Sequence, residues 1–233
     1  TVFGGRKLRS VMQTKEKGWF WWLTKSGRLE RDVLEVDRSR IRSLYHDHGY
    51  VTVQVSEPEI TLSENRKSLQ ITISIEEGDR YRLGSLDITG DILTTKEGLL
   101  KGLKSKVGKV YRSSVVQQDL LWLTDQYADE GYAYVDVSPM TRLDHEQKLV
   151  HLTYKIEKGE RVHIGRIEIE GNTKTRDRVI RRELKIAEGD LYSSTRLRKS
   201  RERVMRTGYF KEMDLLPAPS EKRELLDVDI RVD

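Results

Sequence analysis

The sequence predicts an α+β protein made of three tandem copies of one β-α-α-β-β unit, each a three-stranded mixed sheet covered by two helices. Two internal matches support this prediction. Residues 77–91 align without gaps to residues 158–172, an offset of 81, and a Gly-Tyr pair recurs at Gly49, Gly131 and Gly208. Self-similarity at this period indicates tandem repeats rather than one or two larger domains. The expected unit boundaries are 1–78, 79–159 and 160–233.

Each unit opens with a strand and a short helix. Apolar residues alternate over 83–88 and 164–169, except for one three-residue step beside a glycine, which predicts a bulged strand. Threonine in front of each short helix is a typical capping residue. The expected helices are 97–104, capped by Thr94 or Thr95, and 177–184, capped by Thr175.

A second helix and a hairpin complete each unit. In the middle unit Ser113 and Ser114 precede apolar residues at helical spacing, and Gly131 is suited to end this helix with a positive φ angle. The apolar period then changes to two, which predicts two strands. The predicted strands are 50–55 and 69–75, 132–137 and 150–156, and, after the last Gly-Tyr pair, 226–232.

The two ends of the chain do not complete the pattern. Val2-Phe3-Gly4-Gly5 matches only the end of the opening strand, so the first unit is expected to lack most of that strand. The third unit stops just before its closing turn would come. We therefore expect this chain to be a piece of a longer protein.

One stretch of the third unit is more specific than the general pattern. It comprises Gly171-Asn172-Thr173-Lys174-Thr175-Arg176-Asp177, Val179-Ile180-Arg181-Arg182-Glu183-Leu184, Glu188-Gly189-Asp190-Leu191-Tyr192 and Gly208-Tyr209-Phe210. This set resembles the final polypeptide-transport-associated (POTRA) domain of the outer-membrane barrel-assembly family. The Trp19–Thr24 segment and the earlier Gly-Tyr pairs resemble the preceding units, so the resemblance covers the whole chain.

The resemblance implies a fold, a location and partners. The implied location is the periplasm of a Gram-negative bacterium, with the chain tethered to the outer membrane. The short joints at 77–79 and 158–160 predict an elongated, bent rod. The implied partners are unfolded outer-membrane proteins, accessory assembly lipoproteins and the parent protein's own C-terminal β-barrel. A related translocation or secretion transporter with POTRA units is the alternative.

The family's folds place the first hairpin strand at a sheet edge, where an unfolded outer-membrane strand could pair through its backbone. Such a strand alternates apolar and polar residues and needs the same hydrogen bonds. In the third unit the spacing of Phe210, Met213 and Leu215 around Lys211-Glu212 predicts a bulge, and hence a poorer edge. The expected peptide-binding residues are Tyr50, Val51, Thr52, Val53, Gln54 and Val55, with Tyr132, Ala133, Tyr134, Val135, Asp136 and Val137.

The third unit carries most of the excess positive charge. The formal net charges of the three units are +2, 0 and +3. The resemblance implies that Arg181, Arg182 and Glu183 form a docking point for an accessory lipoprotein, and arginine suits this role because its planar fork pairs with carboxylates. The alternative is a solvated helix face.

Trp19, Trp21 and Trp22 belong to a run of four bulky aromatic residues that cannot all face one core. They either close the long loop between the helices or contact a neighbouring unit, a partner or a membrane surface.

Several other function classes lack their motifs. The chain has no cysteine, no apolar run of membrane-helix length, and no His-Glu-x-x-His, Walker or dinucleotide-binding pattern, so we expect no enzymatic activity and no cofactor. His46-x-His48 lacks an evident third ligand, so we expect no metal site. An RNA-binding module is the remaining alternative, but the chain has no Gly-x-x-Gly clamp and little net charge, so we expect no nucleic-acid partner.

Overall fold

A computed structural model of the chain describes residues 2–14, 31–62, 69–173 and 175–233. By contacts, the chain divides into two compact units: residues 1–86, 104–117 and 141–152, and residues 87–103, 118–140 and 153–233. Each unit contains one end of the middle repeat. None of the helices formed by the described residues is both long and apolar enough to cross a membrane.

The described part of the first repeat contains two helices and an interrupted hairpin. Its core contains Ile41, Tyr45, Val53 and Val55, and Phe3 packs edge-on against Tyr45 with ring centroids 4.9 Å apart. Residues 2–5 match the end of the opening strand of the other repeats in sequence, but they form no strand. A helix already begins at Gly5. The elements are α1 (Gly5–Val11), α2 (Arg31–His46), β1 (Gln54–Val55), β2 (Glu59–Leu62), β3 (Leu69–Thr72) and β4 (Ile75–Glu76).

The hairpin of the first repeat is split into two short ladders. β1 pairs antiparallel with β4, and β2 pairs antiparallel with β3. Between the ladders, Ser56 and Ser74 exchange hydrogen bonds, with the Ser74 backbone donating to the Ser56 hydroxyl oxygen over 2.9 Å. The single closing strand predicted over 69–75 is therefore interrupted.

The middle repeat has the complete set of elements, and its sheet has the order β5-β7-β6. Thr95 caps the short helix by accepting a hydrogen bond from the Gly98 backbone over 3.2 Å, as predicted. Residues of β7 alternate between buried and more exposed positions, which is typical of a strand with one covered face. The elements are β5 (Arg82–Gly90), α3 (Lys96–Gly102), α4 (Ser113–Ala128), β6 (Asp136–Asp144) and β7 (Leu149–Glu157).

The third repeat has a mixed sheet in the order β8-β10-β9. β10 pairs parallel with β8 and antiparallel with β9. Leu226 faces Ile164 whereas Val228 faces Ile167, so β8 contains one extra residue beside Gly165 and the predicted bulge is confirmed. The elements are β8 (His163–Glu170), α5 (Asp177–Arg181), α6 (Ser194–Arg206), β9 (Met213–Pro219) and β10 (Leu225–Val232).

Two predictions for the short helix α5 are wrong. The helix ends at Arg181 rather than at Leu184, because a turn follows it. Its N-cap is Arg176 without a side-chain cap, and Thr175 does not cap it. Asn172 holds this entrance instead, donating from its side-chain amide to the Thr175 carbonyl over 3.1 Å.

The glycines that end the second helices behave as predicted. Gly49, Gly131 and Gly208 have φ angles of 92°, 96° and 72°, a region that side chains with a Cβ rarely enter. In the first two repeats the tyrosine after the glycine donates its backbone N–H to a carbonyl five residues back, over 3.0 Å for Tyr50 and 3.1 Å for Tyr132. Such bonds satisfy carbonyls left unpaired at a helix end.

Candidate functional site

Most of the residues expected to form binding edges lie in turns rather than strands. After Gly49, the Val53 backbone donates to the Tyr50 carbonyl over 3.3 Å, and Val135 donates to Tyr132 over the same distance. In the first repeat the apolar alternation reflects core packing, since Val53 and Val55 belong to one buried cluster with Ile41 and Tyr45 of α2. Strands begin only at Gln54 and Asp136, so the correction removes Tyr50, Val51, Thr52, Val53, Tyr132, Ala133, Tyr134 and Val135 from the strands and leaves Gln54, Val55, Asp136 and Val137.

The hairpin of the first repeat offers the most accessible strand edges. Within the described residues, β2 and β3 pair only with each other, and all four residues of β2 are exposed. Ile60 faces Ile71 and Leu62 faces Leu69, so these four apolar side chains share one face of the ladder. A two-stranded ladder with an exposed apolar face can accept a further strand and also bury its alternate side chains.

In the middle repeat, β6 forms one edge of the sheet. The strand runs from Asp136 to Asp144 and exposes Met140. Pro139 lies in its middle and has no backbone N–H, and proline within a sheet is typical of edge strands. It is an edge of intermediate quality for strand addition.

In the third repeat, β9 is an edge that resists pairing. Lys211 donates to the Asp233 carbonyl over 2.7 Å while Asp233 donates to the Glu212 carbonyl over 3.2 Å, so two residues oppose one. This is the bulge that the sequence predicted, at the entrance to the strand.

Two prolines weaken the same edge further. The Asp233–Glu212 bond and the regular register of β9 on β10 place the even-numbered residues toward β10 and the odd-numbered residues toward the open side. The outward backbone positions are those of Met213, Leu215, Pro217 and Pro219, and the two prolines have no N–H to offer. Proline within a strand is itself a sequence signal for a protected edge, one that the apolar pattern does not show.

An aspartate links each of the first two repeats to the helix of the next. Asp47 accepts from the Ser114 backbone over 3.0 Å and from the Arg112 guanidinium over 3.2 Å, at the start of α4. Burial raises the pKa of Asp47, but the hydrogen bonds from Ser114 and Arg112 outweigh burial, and the net pKa is below its ordinary value. The ionised carboxylate therefore caps a helix N-terminus, where negative charge is favourable.

The second joint repeats this arrangement 82 residues later. Asp129 accepts from the Ser193 hydroxyl over 2.7 Å and from the Thr195 backbone over 2.9 Å, at the start of α6. Its pKa is also lowered, because these hydrogen bonds outweigh the opposing effect of burial. In the third repeat the corresponding residue is Arg206, so the third repeat carries the opposite charge at this position.

The three residues expected to dock a lipoprotein differ in their availability. Arg181 bonds within its own repeat, donating to the Ile167 carbonyl over 2.8 Å and pairing with Asp177 over 2.9 Å. Arg182 keeps 66% of its side chain exposed, while Glu183 is 19% exposed and pairs with the Arg203 guanidinium over 2.9 Å.

Glu183 therefore connects the turn after α5 to α6. The guanidinium of Arg203, together with that of Arg182, holds the pKa of Glu183 below its ordinary value. Because Glu183 is occupied within the repeat, Arg182 is the residue of the three that is best placed to meet a partner. Nonlocal pairing of this kind has no signal in the sequence.

The remaining sequence candidates add no site. Trp19, Trp21 and Trp22 lie outside the described residues. The His48 ring hydrogen-bonds the Leu44 carbonyl through Nδ1 over 2.8 Å, a local helix-end contact. Within the described residues, no group of three or more histidine, aspartate or glutamate side chains is arranged to hold a metal ion.

Comparison with protein families gives three matches along the chain. The POTRA family, described as "Surface antigen variable number repeat", matches residues 1–78, 81–159 and 162–233. The outer membrane protein assembly factor BamA of Nitratidesulfovibrio vulgaris is 35% identical over 230 residues, which cover 97% of this chain and 29% of that protein. BamA of Neisseria meningitidis is 32% identical over 219 residues, covering 94% of this chain and 28% of that protein. The chain thus spans less than a third of the length of these relatives.

Solved structures show the same fold. The crystal structure of Haemophilus influenzae BamA POTRA3-5 matches with a TM-score of 0.83 and 23% identity, covering 99% of this chain and 91% of that one. BamA from Haemophilus ducreyi lacking POTRA domains 1-3 matches with a TM-score of 0.57 and 22% identity, covering 66% of this chain and 29% of that one. These comparisons confirm the predicted resemblance and the repeated α+β fold.

Proposed function

Because the chain belongs to the POTRA family and is homologous to the POTRA region of BamA, we propose that it captures unfolded outer-membrane proteins in the periplasm by strand addition and hands them on for insertion. The observation that carries this proposal is the β2-β3 ladder: within the described residues its two strands pair only with each other, and Ile60 and Leu62 are exposed on one face. The chain is tethered to the outer membrane through the rest of its parent protein.

Strand addition suits a protein that handles many substrates. The backbone hydrogen bonds of an edge demand little of side-chain identity, and outer-membrane strands share the alternation of apolar and polar residues. Binding has to order a flexible chain, which lowers the affinity and favours release. The three repeats then contribute unequally, in the order of their edges: the first, the middle and the third.

Replacing the two outward prolines of β9 restores backbone N–H donors to this edge and tests whether the third repeat then gains peptide binding. We expect a P217T/P219T variant to bind a ten-residue peptide with alternating apolar and polar residues along β9, because both outward positions regain an N–H. The measurement is hydrogen exchange of the β9 amides with and without the peptide. Protection of β9 in the unmodified chain as strong as that of β2 would refute the proposed order.

We also propose that the turn after α5 docks an accessory assembly lipoprotein, with Arg182 as its principal contact. Arg182 is exposed, and Arg178 and Lys185 add positive charge to the same segment. A guanidinium can form two parallel bonds with a partner carboxylate. The expected partner surface is therefore acidic.

Charge reversal at Arg182 tests the docking proposal. The R182E variant should bind the lipoprotein about tenfold or more weakly, since it loses one charge pair and adds a repulsion. The matched control is K199E, which makes the same change of charge on an exposed position of α6 outside the turn. Surface plasmon resonance measures both affinities, and equal losses for the two variants would show general charge attraction instead of docking at the turn.

A further inference from the structure

The two joints between repeats share their backbone but differ in one buried side chain. Tyr81 in the first joint and Val162 in the second are equivalent residues, 81 apart in the sequence. Each donates its backbone N–H to the glycine that ends the preceding helix, Tyr81 to the Gly49 carbonyl over 2.8 Å and Val162 to the Gly131 carbonyl over 2.9 Å. The second joint therefore carries a smaller side chain on the same backbone.

The hairpin turn of the following repeat lies next to each joint in the same way. The residue after Tyr81, Arg82, donates its backbone N–H to the Lys148 carbonyl over 3.0 Å. The residue after Val162 does the same, because His163 donates to the Glu224 carbonyl over 2.8 Å. Lys148 and Glu224 are each the last residue before the closing strand of their hairpin.

In the first joint the ring of Tyr81 spans the space between the joint and the turn. The residue is only 2% exposed, and its hydroxyl lies 2.8 Å from Nδ1 of His145, the first residue of the turn. The two rings meet edge-on with centroids 6.2 Å apart. An ion pair of 2.8 Å between Lys148 and Asp79 adds a second link between the turn and the joint.

In the second joint a cavity of about 360 Å³ lies between Val162 and the hairpin turn of the third repeat. Its volume is in the range of small-molecule sites. A valine side chain is too short to span the distance that the tyrosine spans in the first joint. The lining includes Tyr134, Glu160, Val162, Ser220, Arg223 and Leu225.

The lining of this cavity suits an aromatic ring. Val162 is buried and Leu225 is half-buried, so both offer apolar contact, while the ring of Tyr134 is 51% exposed. Aromatic rings favour edge contacts with one another, and a guanidinium such as that of Arg223 binds the face of a ring. The Glu160 carboxylate supplies an acceptor for a phenolic hydroxyl.

We propose that this cavity binds an aromatic side chain, preferably tyrosine, of an unfolded outer-membrane protein. The bound ring takes the place that the Tyr81 ring takes in the first joint, and its hydroxyl donates to Glu160 or Ser220. Strands of outer-membrane proteins carry aromatic residues at both membrane interfaces. Tyr134 lies two residues before β6 begins, so the cavity is close to one of the edges proposed for strand addition. The identity of the occupant rests on the proposed function.

Two small probes test the cavity itself, without strand addition. N-acetyltyrosinamide should shift the methyl NMR signals of Val162 and Leu225 in a saturable way. N-acetylleucinamide should bind about fivefold or more weakly, since it lacks the contacts of a ring with Tyr134 and Arg223. Equal affinities for the two probes would overturn the proposal.

Filling the cavity provides a matched pair of control proteins. The chain has no cysteine, so an S220C variant carries a single thiol at the cavity wall. Benzyl methanethiosulfonate attaches a ring to this thiol, and methyl methanethiosulfonate attaches only a methyl group. The benzyl protein should bind N-acetyltyrosinamide about fivefold or more weakly than the methyl protein. Equal binding by the two labelled proteins would refute the site.

A V162Y variant fills the cavity from the opposite side, because it gives the second joint the side chain of the first. We expect the same loss of N-acetyltyrosinamide binding as with the benzyl group. If the variant melts early by circular dichroism, the labelled S220C pair decides the test.

A peptide separates this proposal from strand addition. The probe is the alternating ten-residue peptide with one terminal tyrosine, which should displace N-acetyltyrosinamide and protect the amides of β2 or β6 from hydrogen exchange. Protection without displacement would overturn the proposed occupant and leave strand addition intact. Displacement without protection would support the aromatic site and refute strand addition.

Discussion

Replacing both Ile60 and Leu62 by lysine is expected to remove most of the peptide binding by the first repeat. Both side chains lie on the apolar face of β2, where an added strand would cover them, and each buried aliphatic side chain contributes about 1.5 to 3 kcal/mol. Loss of that contact together with two added charges should weaken binding of the alternating ten-residue peptide by well over about tenfold. Fluorescence anisotropy of the labelled peptide measures the affinity.

The opposite face of β2 provides the matched control for the I60K/L62K variant. Glu59 and Thr61 occupy the alternate positions of the strand, and both are exposed. An E59K/T61K variant introduces the same two lysines into the same strand without touching the apolar face. If both double variants lose affinity equally, lysine at the edge is responsible and the apolar face takes no part.

Replacing Gly171 by alanine is expected to destabilise the third repeat. The glycine follows β8 with a φ angle of 85°, and a Cβ at this position would lie far inside the van der Waals contact distance from the Val232 carbonyl oxygen. The substitution combines an unfavourable backbone conformation with a clash against backbone that cannot move without breaking the sheet. We expect a loss of about 3 to 5 kcal/mol in the opening free energy of this repeat.

Gly189 provides the control for Gly171. Its φ angle is 89°, but a Cβ there would meet no atom within 4 Å. The G189A variant should therefore lose only the conformational term, about 1 to 2 kcal/mol. Hydrogen exchange of the β10 amides measures the loss of opening free energy in both variants, and the β7 amides of the middle repeat serve as an internal reference. Equal losses of free energy in the two variants would disprove the clash.

The sequence predicts well those structural features that depend only on residues close together in the chain. Gly49, Gly131 and Gly208 all adopt positive φ, because ending a helix is a local event. The Thr95 cap and the closing strands β7 and β10 are local in the same sense, since their patterns arise from one buried face. These elements define the repeated fold.

Tertiary context decides the features that the sequence did not predict. The alternation of Val51 and Val53 is compatible with either a strand or a turn, and in the structure both residues precede β1, in the turn closed by the bond from the Val53 backbone to the Tyr50 carbonyl. Tyr132 and Tyr209 follow equivalent glycines, yet Tyr132 is buried beneath the cation of Arg161 while Tyr209 is 63% exposed. The pair of Glu183 with Arg203 joins residues that are 20 apart in sequence. No local pattern distinguishes these cases.

Photo-crosslinking from one position in each edge strand tests strand addition most directly. Leu62, Met140 and Leu216 are 56%, 56% and 43% exposed, so a crosslinking amino acid at each position is similarly accessible. With an unfolded outer-membrane protein as substrate, the expected capture is strongest at Leu62, intermediate at Met140 and weakest at Leu216. Capture at Leu216 equal to or greater than capture at Leu62 would contradict the account.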